Sequence, residues 1–346
     1  MRARALANIL RSKLGYAADL ASAARHREVL EAGFVEAASK LYMLSGMLDR
    51  VTAGVAGHST REAQIGVARA ETFDHAAVIR YVLQDCLIHP RGVEYKGGSL
   101  TNSPGLRHRI PTGRMSHSRV RHYCMSNVSH RYFGHWLRDS CTTALLAPDA
   151  KDIVLDGRPD WPDTEAYAQA FGLPTRPAGA ERVDELHVYQ DFSQGMSKRA
   201  RYAELRARLR SAVPVTPRTS RPVYLRRGST GVARRIADED AFCDALAGHG
   251  FDILDLAKTG FAHRYRTLSA ATVVVTVEGS QANHAFLAMP TGANFVSLMP
   301  ADRFGMIQRG VCHAMGLRYG CVVSRPGANG YIVDADEVLR TVDLML

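Results

Sequence analysis

The stretch Thr272-Val-Val-Val-Thr-Val-Glu-Gly-Ser-Gln-Ala-Asn-His-Ala-Phe-Leu-Ala-Met289 decides the fold class of this 346-residue chain. Its β-branched run, Val273–Val277, predicts a buried strand, because a run that is apolar throughout is typical of sheets covered on both faces. Gly279 and Ser280 then predict a tight turn with a helix N-cap, and 282–289 predicts a helix. Such a unit places backbone N–H groups at the carboxyl edge of a parallel sheet, where α/β proteins bind phosphate groups. Taken alone, the stretch favours an ordinary strand–helix unit whose glycine only permits the turn.

The chain beyond residue 222 repeats this strand–helix alternation. Strands are predicted at 223–227, 251–256, 273–277, 294–299 and 320–324, and helices at 238–249, 262–270, 282–289, 305–315 and 336–346. Alternation with short loops predicts a parallel, doubly wound sheet. The proline-containing linker 211–222 predicts a domain boundary, which divides the chain into 1–212, a Rossmann-like domain at 222–333 and a C-terminal helix at 334–346.

The N-terminal part has a mixed pattern. Residues 2–49 are rich in Ala, Leu, Glu and Arg and are predicted to be helical, whereas 91–113 is predicted to be a loop. Helices are also predicted at 129–146 and 202–209, with a strand at 184–189. The apolar stripe of the first helix is ragged, so we interpret it as part of a domain face, with an oligomer contact and a membrane-surface helix as alternatives.

Composition excludes several classes of protein. Hydrophobic residues make up 46% of the chain and charged residues 23%, which are values of globular proteins. No stretch approaches the roughly 20 apolar residues needed to cross a bilayer, and the N-terminus lacks the apolar core of a signal peptide. The six cysteines form no CxxC pair, which is typical of buried, reduced thiols in a cytoplasmic protein, and no metal site is predicted. The C-terminal domain has no GxGxxG after its first strand and the chain has no P-loop, which disfavours simple NAD dehydrogenases and P-loop enzymes.

The formal net charge of +10 suits an anionic partner. Basic residues concentrate in 106–122, which is compatible with nucleic acid, anionic lipid, a sugar nucleotide or an acidic polysaccharide, and equally with a solvated loop. No aromatic residue interleaves with these charges as in proteins that bind single strands, and no nucleic-acid partner is predicted.

Four arginines are predicted near the sheet edge that carries Gly279. Arg226 and Arg227 end the first strand of the C-terminal domain, and Arg234 and Arg235 precede its first helix. Guanidinium groups bind phosphate oxygens in a bidentate way, and a helix N-terminus adds partial positive charge. Together these features predict a diphosphate site, with plain surface arginines as the alternative.

A histidine and a carboxylate are predicted on one face of the helix at 129–146. His135 and Asp139 lie one turn apart if the chain is helical from about Gly134, and Trp136 and Leu137 then face the core. A histidine and a carboxylate that are exposed together in a cleft can remove a proton from a hydroxyl. A surface pair around a buried tryptophan fits the same residues equally well.

These motifs, in this order, resemble glycosyltransferase family 61. The resemblance rests on aromatic-aromatic-Gly-His-Trp-Leu-x-Asp ending at Asp139, on a strand ending in Arg226-Arg227, and on Arg-x-Ile-x-x-Glu from Arg234. A valine-rich strand with a glycine turn and Asn283-x-x-Phe follows. The resemblance covers about Ser129 to Pro300, and the family includes bacterial enzymes of the capsular-polysaccharide type and eukaryotic xylosyl- and N-acetylglucosaminyltransferases.

The resemblance implies a GT-B-like α/β fold, in which two Rossmann-like domains face each other across a cleft, here with extra N-terminal helices. The donor would be held mainly by the C-terminal domain, and Glu278 stands where the family commonly has a histidine, so it is expected to face a sugar hydroxyl or Arg226. The residues implied near the donor are Arg226 or Arg227, Arg235, Glu278, Gly279, Ser280 and Asn283. Asp139, with His135, is implied as the general base on the acceptor side.

The function implied is that of an inverting, metal-independent glycosyltransferase. It would transfer a sugar from a nucleotide-diphosphate donor, with no further cofactor, to a hydroxyl of a surface-polysaccharide or related glycan. A sugar-nucleotide epimerase on a similar scaffold and a non-enzymatic binder of polyanions are the alternatives. The expected location is the cytoplasm, with peripheral contact to an anionic membrane as a further option, and the oligomeric state is left open.

Overall fold

The computed structural model describes residues 2–101, 115–156, 161, 163–174, 179–215, 220–227 and 234–346. Its chain divides into two compact units. Unit 1 consists of Met1–Phe34 and His75–Arg201, and unit 2 of Val35–Asp74 and Tyr202–Leu346. The division predicted from the sequence assigns 35–74 to the N-terminal domain and 334–346 to a separate helix, whereas in the structure both segments cluster with unit 2.

The structure contains both strands and helices in each unit. The strands are β1 His26–Glu31, β2 Phe34–Ala37, β3 Leu41–Tyr42, β4 Thr72–His75, β5 Val78–His89, β6 Gly92–Tyr95, β7 Gly98–Thr101, β8 Ser116–Tyr123, β9 Ile153–Val154, β10 Glu181–Gln190, β11 Val223–Arg226, β12 Asp252–Asp255, β13 Val273–Val277, β14 Asn294–Met299, β15 Arg318–Val323, β16 Arg325–Gly327 and β17 Gly330–Ile332. The helices are α1 Arg2–Lys13, α2 Leu20–Ala23, α3 Arg61–Arg69, α4 Phe133–His135, α5 Cys141–Ala144, α6 Thr164–Phe171, α7 Met196–Ala212, α8 Glu239–Gly248, α9 Phe261–Ser269, α10 Ala282–Ala288, α11 Ile307–Ala314 and α12 Ala335–Asp343. A π-helical turn, Trp136–Ser140, joins α4 to α5, and short 3-10 turns lie at Met47–Arg50 and Ala150–Asp152.

The sheet of unit 1 is mixed. Its strand order is β7-β6-β5-β10-β8-β9, with β1 also paired to β5. β10 runs parallel to β8 but antiparallel to β5, and β5, β6 and β7 form successive hairpins. Two-residue connections between these strands, such as Lys96-Gly97 with Gly97 at φ 88°, allow only antiparallel neighbours. This sheet therefore differs from the Rossmann-like sheet implied for the N-terminal domain.

Two sequence predictions for unit 1 are wrong. The predicted loop 91–113 contains β6 and β7, and its remainder from residue 102 lies outside the described residues. The predicted helical region 2–49 is helical only in α1, α2 and the turn at Met47–Arg50, while 26–42 forms β1, β2 and β3. β1 is a strand because it pairs along β5, from His26 opposite Val82 onward. Tertiary pairing of this kind overrides local helix propensity.

The sheet of unit 2 is parallel throughout its six strands. Its order is β12-β11-β13-β14-β15-β3. The five strands and five helices predicted beyond residue 222 agree with the structure to within three residues at each end. β13 and β14 are buried at every position, which is why their sequences are mostly apolar.

The direction of strand addition reverses between β11 and β13. β12 follows β11 on one side, and the chain then returns to place β13 on the other side of β11. In open α/β sheets, such a reversal leaves a crevice at the carboxyl ends of the two strands, and ligands bind there. Arg227 follows the end of β11, and Glu278 follows the end of β13.

Segment 35–74 is tied to unit 2 by the buried side chain of Arg309. Arg309, on α11, is 3% exposed, and β3 pairs with β15 at the edge of the sheet. The guanidinium donates to the carbonyl oxygens of Ser39, Val67, Ala68 and Ala70. Five hydrogen bonds from one buried cation fix this segment against α11.

Two sequence predictions concern the whole chain. Cys86, Cys124, Cys141, Cys243, Cys312 and Cys321 are all buried free thiols, as predicted. Within the ranges that the structure describes, no helix combines the length and apolar character required to pass through a membrane.

Candidate active-site residues

The helical turn around His135 in unit 1 is widened by one residue. The N–H of Cys141 donates to the carbonyl of Trp136, five residues earlier, which defines a π-helical turn. Trp136 and Leu137 are fully buried, as predicted. His135 and Asp139 lie on the other face, where their side chains are 30% and 22% exposed.

His135 and Asp139 form a hydrogen-bonded pair, as their spacing predicts. Nδ1 of His135 lies 2.7 Å from Oδ2 of Asp139. Arg138 also donates to both oxygens of Asp139, at 3.0 Å and 2.8 Å. A carboxylate held in this way is ionised and can only accept, so we assign the proton of this bond to Nδ1 of His135, with Nη2 of Arg138 lying 3.0 Å from the same nitrogen. Nε2 then has a free lone pair, and no described residue is hydrogen-bonded to it.

Asp139 belongs to a larger buried charge network that the sequence did not reveal. Lys198 on α7 is fully buried, and its Nζ lies 3.4 Å from Oδ1 of Asp139 and 2.8 Å from the carbonyl oxygen of Asp191. Arg201, one turn later on α7, binds the Asp191 carboxylate at 2.6 Å and 3.0 Å. Three cations, Arg138 included, thus surround two carboxylates.

This network sets the protonation state of both acids. Burial by itself would raise the pKa of Asp139, but the charges of Arg138 and Lys198 and the hydrogen bond from His135 hold that pKa well below its usual value. Burial would likewise raise the pKa of Asp191, and Lys198 and Arg201 lower it. A carboxylate with a strongly lowered pKa is a weak base. The arrangement therefore suits Asp139 to orienting His135, and it suits Nε2 of His135 to accepting a proton.

In unit 2, a second cluster lies at the carboxyl edge of the sheet where β11 and β13 end. Nη1 of Arg234 donates to the carbonyl oxygen of Glu278 at 2.7 Å and lies 2.8 Å from its Oε2. Nε of Arg303 lies 3.7 Å from the same carboxylate oxygen. Glu278 is thus paired with Arg234 and Arg303, and not with Arg226 as one of the two sequence expectations had it.

Arg227 completes this cluster and carries a buried nitrogen. Burial lowers the pKa of Arg227, and the neighbouring positive charges of Arg234 and Arg303 lower it further. The negative charge of Glu278 raises that pKa and so opposes the other effects. Among the described residues, no acceptor binds its buried Nη1. Arg234 and Arg303 therefore lie 2.8 Å and 3.7 Å from one carboxylate, and Arg227 is close enough for its pKa to respond to the same group. Guanidinium groups gathered in this way suit the binding of an anion.

The other two predicted arginines point elsewhere. Arg226 binds Asp240 at 2.7 Å and Glu239 at 3.3 Å, both on α8. Arg235 is exposed, and its carbonyl oxygen accepts a hydrogen bond from the Tyr331 amide at 2.8 Å. Gly228, which follows Arg227, lies outside the described residues.

The turn after β13 is shaped by Gly279. Its φ is 156°, and a Cβ built there would lie 2.9 Å from Nη1 of Arg234 and would also meet Oε1 of Gln281. Glycine at this position therefore allows the backbone to lie close to the Arg234 guanidinium without a steric clash. Gln281, rather than the predicted Ser280, occupies the N-cap position of α10, and its side chain makes no capping hydrogen bond. Ser280 contributes its carbonyl oxygen, which accepts from the Asn283 side chain at 2.9 Å.

Two basic residues in the described part of the stretch 106–122 are paired with acids. Arg121 binds Glu181 at 2.9 Å, and His117 lies 2.8 Å from Asp184. Residues 106–114 lie outside the described residues. Across the part of the chain that the structure describes, no group of three or more His, Cys, Asp or Glu side chains is arranged to hold a metal ion.

Comparison with protein families relates the central part of the chain to glycosyltransferases. Residues 133–296 match the family described as Glycosyltransferase 61, a segment that begins beside His135 and ends within β14. The match confirms the resemblance predicted from the sequence, and it favours a glycosyltransferase over the epimerase and the non-enzymatic polyanion binder. A search of curated proteins found no match to the chain.

Proposed function

We propose that the protein is an inverting, metal-independent glycosyltransferase that transfers a sugar from a nucleoside-diphosphate donor to a hydroxyl of a glycan. The observation that carries this proposal is the cluster of Arg227, Arg234 and Arg303 around Glu278 at the strand reversal of a parallel sheet. In α/β proteins a diphosphate binds in a crevice at the carboxyl ends of the strands, and guanidinium groups bind its oxygens. Unit 2 has both features at the same edge of its sheet.

The arginines would stabilise the leaving group. When the bond between the sugar C1 and the diphosphate oxygen breaks, negative charge grows on the diphosphate. Fixed guanidinium groups aimed at that charge lower the barrier, as a metal ion does in other enzymes. We assign this role to Arg227, Arg234 and Arg303. The turn at Gly279 and Ser280, which the Asn283 side chain stabilises by a hydrogen bond, sets the position of the backbone beside them.

We assign the general base to His135 and the orienting role to Asp139. The acceptor hydroxyl oxygen attacks C1 of the donor sugar as the bond to the diphosphate breaks, and the hydroxyl proton passes to Nε2 of His135. Asp139 stabilises the resulting imidazolium through Nδ1–H. Attack on the face opposite the leaving group inverts the configuration at C1.

The proposal keeps the GT-B-like division of labour implied by the sequence resemblance, with unit 2 as the donor-binding domain and unit 1 as the acceptor-binding domain. The acceptor is a surface polysaccharide or related glycan in the cytoplasm of a bacterium. Support comes from the capsular-type resemblance, and the net charge of +10 suits an acidic glycan.

A thermal-shift comparison of nucleoside diphosphates tests the donor site. The protein should be stabilised by one nucleoside diphosphate more than by the others, since a ligand at about 100 times its Kd adds about 2.7 kcal/mol to the free energy of unfolding. Arg227→Met and Arg303→Met should lose this stabilisation. Arg235→Met, which removes an exposed guanidinium from the same chain region, should retain most of it.

Product analysis then tests the reaction. With the selected donor, transfer should continue in a metal chelator, and NMR of the product should show an inverted anomeric centre. If Arg227→Met and Arg303→Met bind the nucleoside diphosphate as well as the wild type does, the donor site proposed here is wrong. Retention of configuration would exclude the single displacement with His135 as base.

A further inference from the structure

Helix α1 exposes a row of large apolar side chains. Leu6, Leu10 and Leu14 are 42%, 58% and 67% exposed, and Tyr16 just beyond the helix is 78% exposed. The three leucines are spaced four residues apart, so they lie above one another on one helix face. The amide of Leu14 still bonds to the carbonyl of Leu10 at 3.0 Å, which continues the face past Lys13.

The opposite face fixes how α1 is rotated on unit 1. Asn8 is 1% exposed and Ala5 is fully buried. The side-chain amide of Asn8 donates to Oε2 of Glu94 at 2.9 Å and to the carbonyl oxygens of Tyr95 at 3.0 Å and Gly98 at 2.7 Å. Since these three bonds hold the helix against β6 and β7, the leucine row faces away from the sheet as a fixed feature.

The charges on this segment all have one sign. Residues 1–18 contain no aspartate or glutamate, and the last turn of α1 carries Arg11 and Lys13, both exposed. At about 100° per residue, Arg11 lies about 100° from Leu10 on one side of the axis and Lys13 about 60° from it on the other. The apolar row is therefore flanked by cations on both sides.

We propose that α1 docks this protein on an anionic lipid surface. The leucines would enter the boundary between headgroups and acyl chains, while Arg11 and Lys13 bind anionic headgroups, as in helices that lie in the plane of a membrane interface. A second copy of the chain fits the surface poorly, because packing α1 on α1 would bring like charges together without an acidic partner.

Vesicle co-sedimentation of the full chain tests the proposal without a transfer assay. The protein should bind vesicles of phosphatidylcholine that contain phosphatidylglycerol, and not vesicles of phosphatidylcholine alone, and added salt should weaken binding. The double change Leu10→Ser and Leu14→Ser should reduce affinity at least about tenfold, since both leucines are exposed and fold stability does not depend on their burial. Lys13→Glu should also weaken binding.

Ile307→Ser is the matched control, because Ile307 is a 54% exposed apolar residue on a helix of unit 2. It should bind anionic vesicles as the wild type does. Equal binding to both vesicle types, or unchanged binding by the double leucine variant, would overturn the proposal. Self-association of the wild type that the double variant abolishes would also overturn it, by assigning α1 to a protein contact. Loss of donor binding in the arginine variants has no bearing on this outcome.

Discussion

Lys198 approaches Asp139 from the side that His135 does not contact. Its ammonium lies 3.4 Å from Oδ1, whereas Nδ1 of His135 lies 2.7 Å from Oδ2. With Arg138 bound to both oxygens, the carboxylate cannot rotate without breaking an ion pair. The orientation of the His135 imidazole therefore depends, through Asp139, on Arg138 and on a lysine from a different helix, and Lys198 acts as a positioning residue.

Replacing His135 by glutamine should abolish most of the transfer activity. Loss of a general base costs about 10²- to 10⁴-fold in rate, while the donor site in unit 2 is untouched. We expect kcat to fall by this factor and nucleoside-diphosphate binding to remain unchanged by calorimetry. His117→Gln removes an exposed histidine of unit 1 and should leave kcat unchanged. If His135→Gln stays active while Asp139→Asn is inactive, Asp139 is the base.

Replacing Lys198 by methionine should destabilise unit 1. The change leaves Asp139 and Asp191 with less compensating charge in a buried place, and breaking a buried ion pair costs about 3–5 kcal/mol. Urea unfolding should show this loss together with a reduced kcat. Lys151→Met breaks the ion pair of a 75% exposed lysine with Asp149 and should leave the stability nearly unchanged, because water screens an exposed pair. Equal small losses in both variants would show that Lys198 is not part of a stabilising network.

Replacing Glu278 by glutamine should tighten the binding of the nucleoside diphosphate. The carboxylate partly neutralises Arg234 and Arg303 and would repel a diphosphate, so its removal should increase affinity by roughly threefold to tenfold at low salt. Slower product release should then lower kcat. Calorimetry at two salt concentrations measures the effect, and Glu165→Gln on unit 1 controls for the change in net charge. Weaker binding would mean that Glu278 acts by holding Arg234 in place.

Acid should destabilise the protein through histidines whose pKa is lowered in the folded state. Burial lowers the pKa of His130 to about 4 and that of His284 to about 3, whereas an unfolded histidine titrates near 6.5. Between these pKa values the unfolded chain binds more protons than the folded protein does. The free energy of unfolding is therefore unaffected by these histidines above about pH 6.5 and decreases as the pH falls towards 4. Each histidine contributes a slope of about 1.4 kcal/mol per pH unit. The lowered pKa of Asp139 adds a further loss below about pH 4.

Urea unfolding over a pH series measures this slope. His130→Gln can keep a hydrogen bond to the Tyr123 hydroxyl, which Nε2 of His130 makes at 2.8 Å, without binding a proton. Its slope should be smaller than that of the wild type by about 1.4 kcal/mol per pH unit. His58→Gln, at an exposed position, should leave the slope unchanged. The same slope in wild type and His130→Gln would contradict the assignment.

The sheet of unit 2 was predictable because its determinants are local. Val273–Val277 is buried on both faces, so its run of β-branched residues is enough to predict a buried strand. β1 was not predictable, since its conformation depends on pairing with β5, about 50 residues further along the chain. The mixed sheet of unit 1 was missed for a related reason: hairpin turns within 91–101 lay inside a stretch rich in glycine and serine.

The candidate sites were predictable only in part. The helical period places His135 against Asp139 without knowledge of the fold. Lys198 is 59 residues from Asp139 in the chain, and no local pattern links the two. Arg234 and Arg235 are adjacent and chemically identical, so the choice of the one that faces Glu278 depends on side-chain direction outside a regular element. Arg303 follows β14, and its proximity to Glu278 became clear only from the strand order, in which β14 lies beside β13.

The bonds of Arg309 have a consequence for domain exchange. Unit 2 is discontinuous, and β3 leaves the ribosome long before its partner β15 is made. A chimera that takes only 202–346 from a relative would set a foreign Arg309 against the host's backbone, and its five N–H groups would be satisfied only where that backbone places the same carbonyl oxygens. To transfer the preference for a nucleotide-sugar donor from a relative, 35–74 should therefore be moved together with the C-terminal segment, as two grafts rather than one.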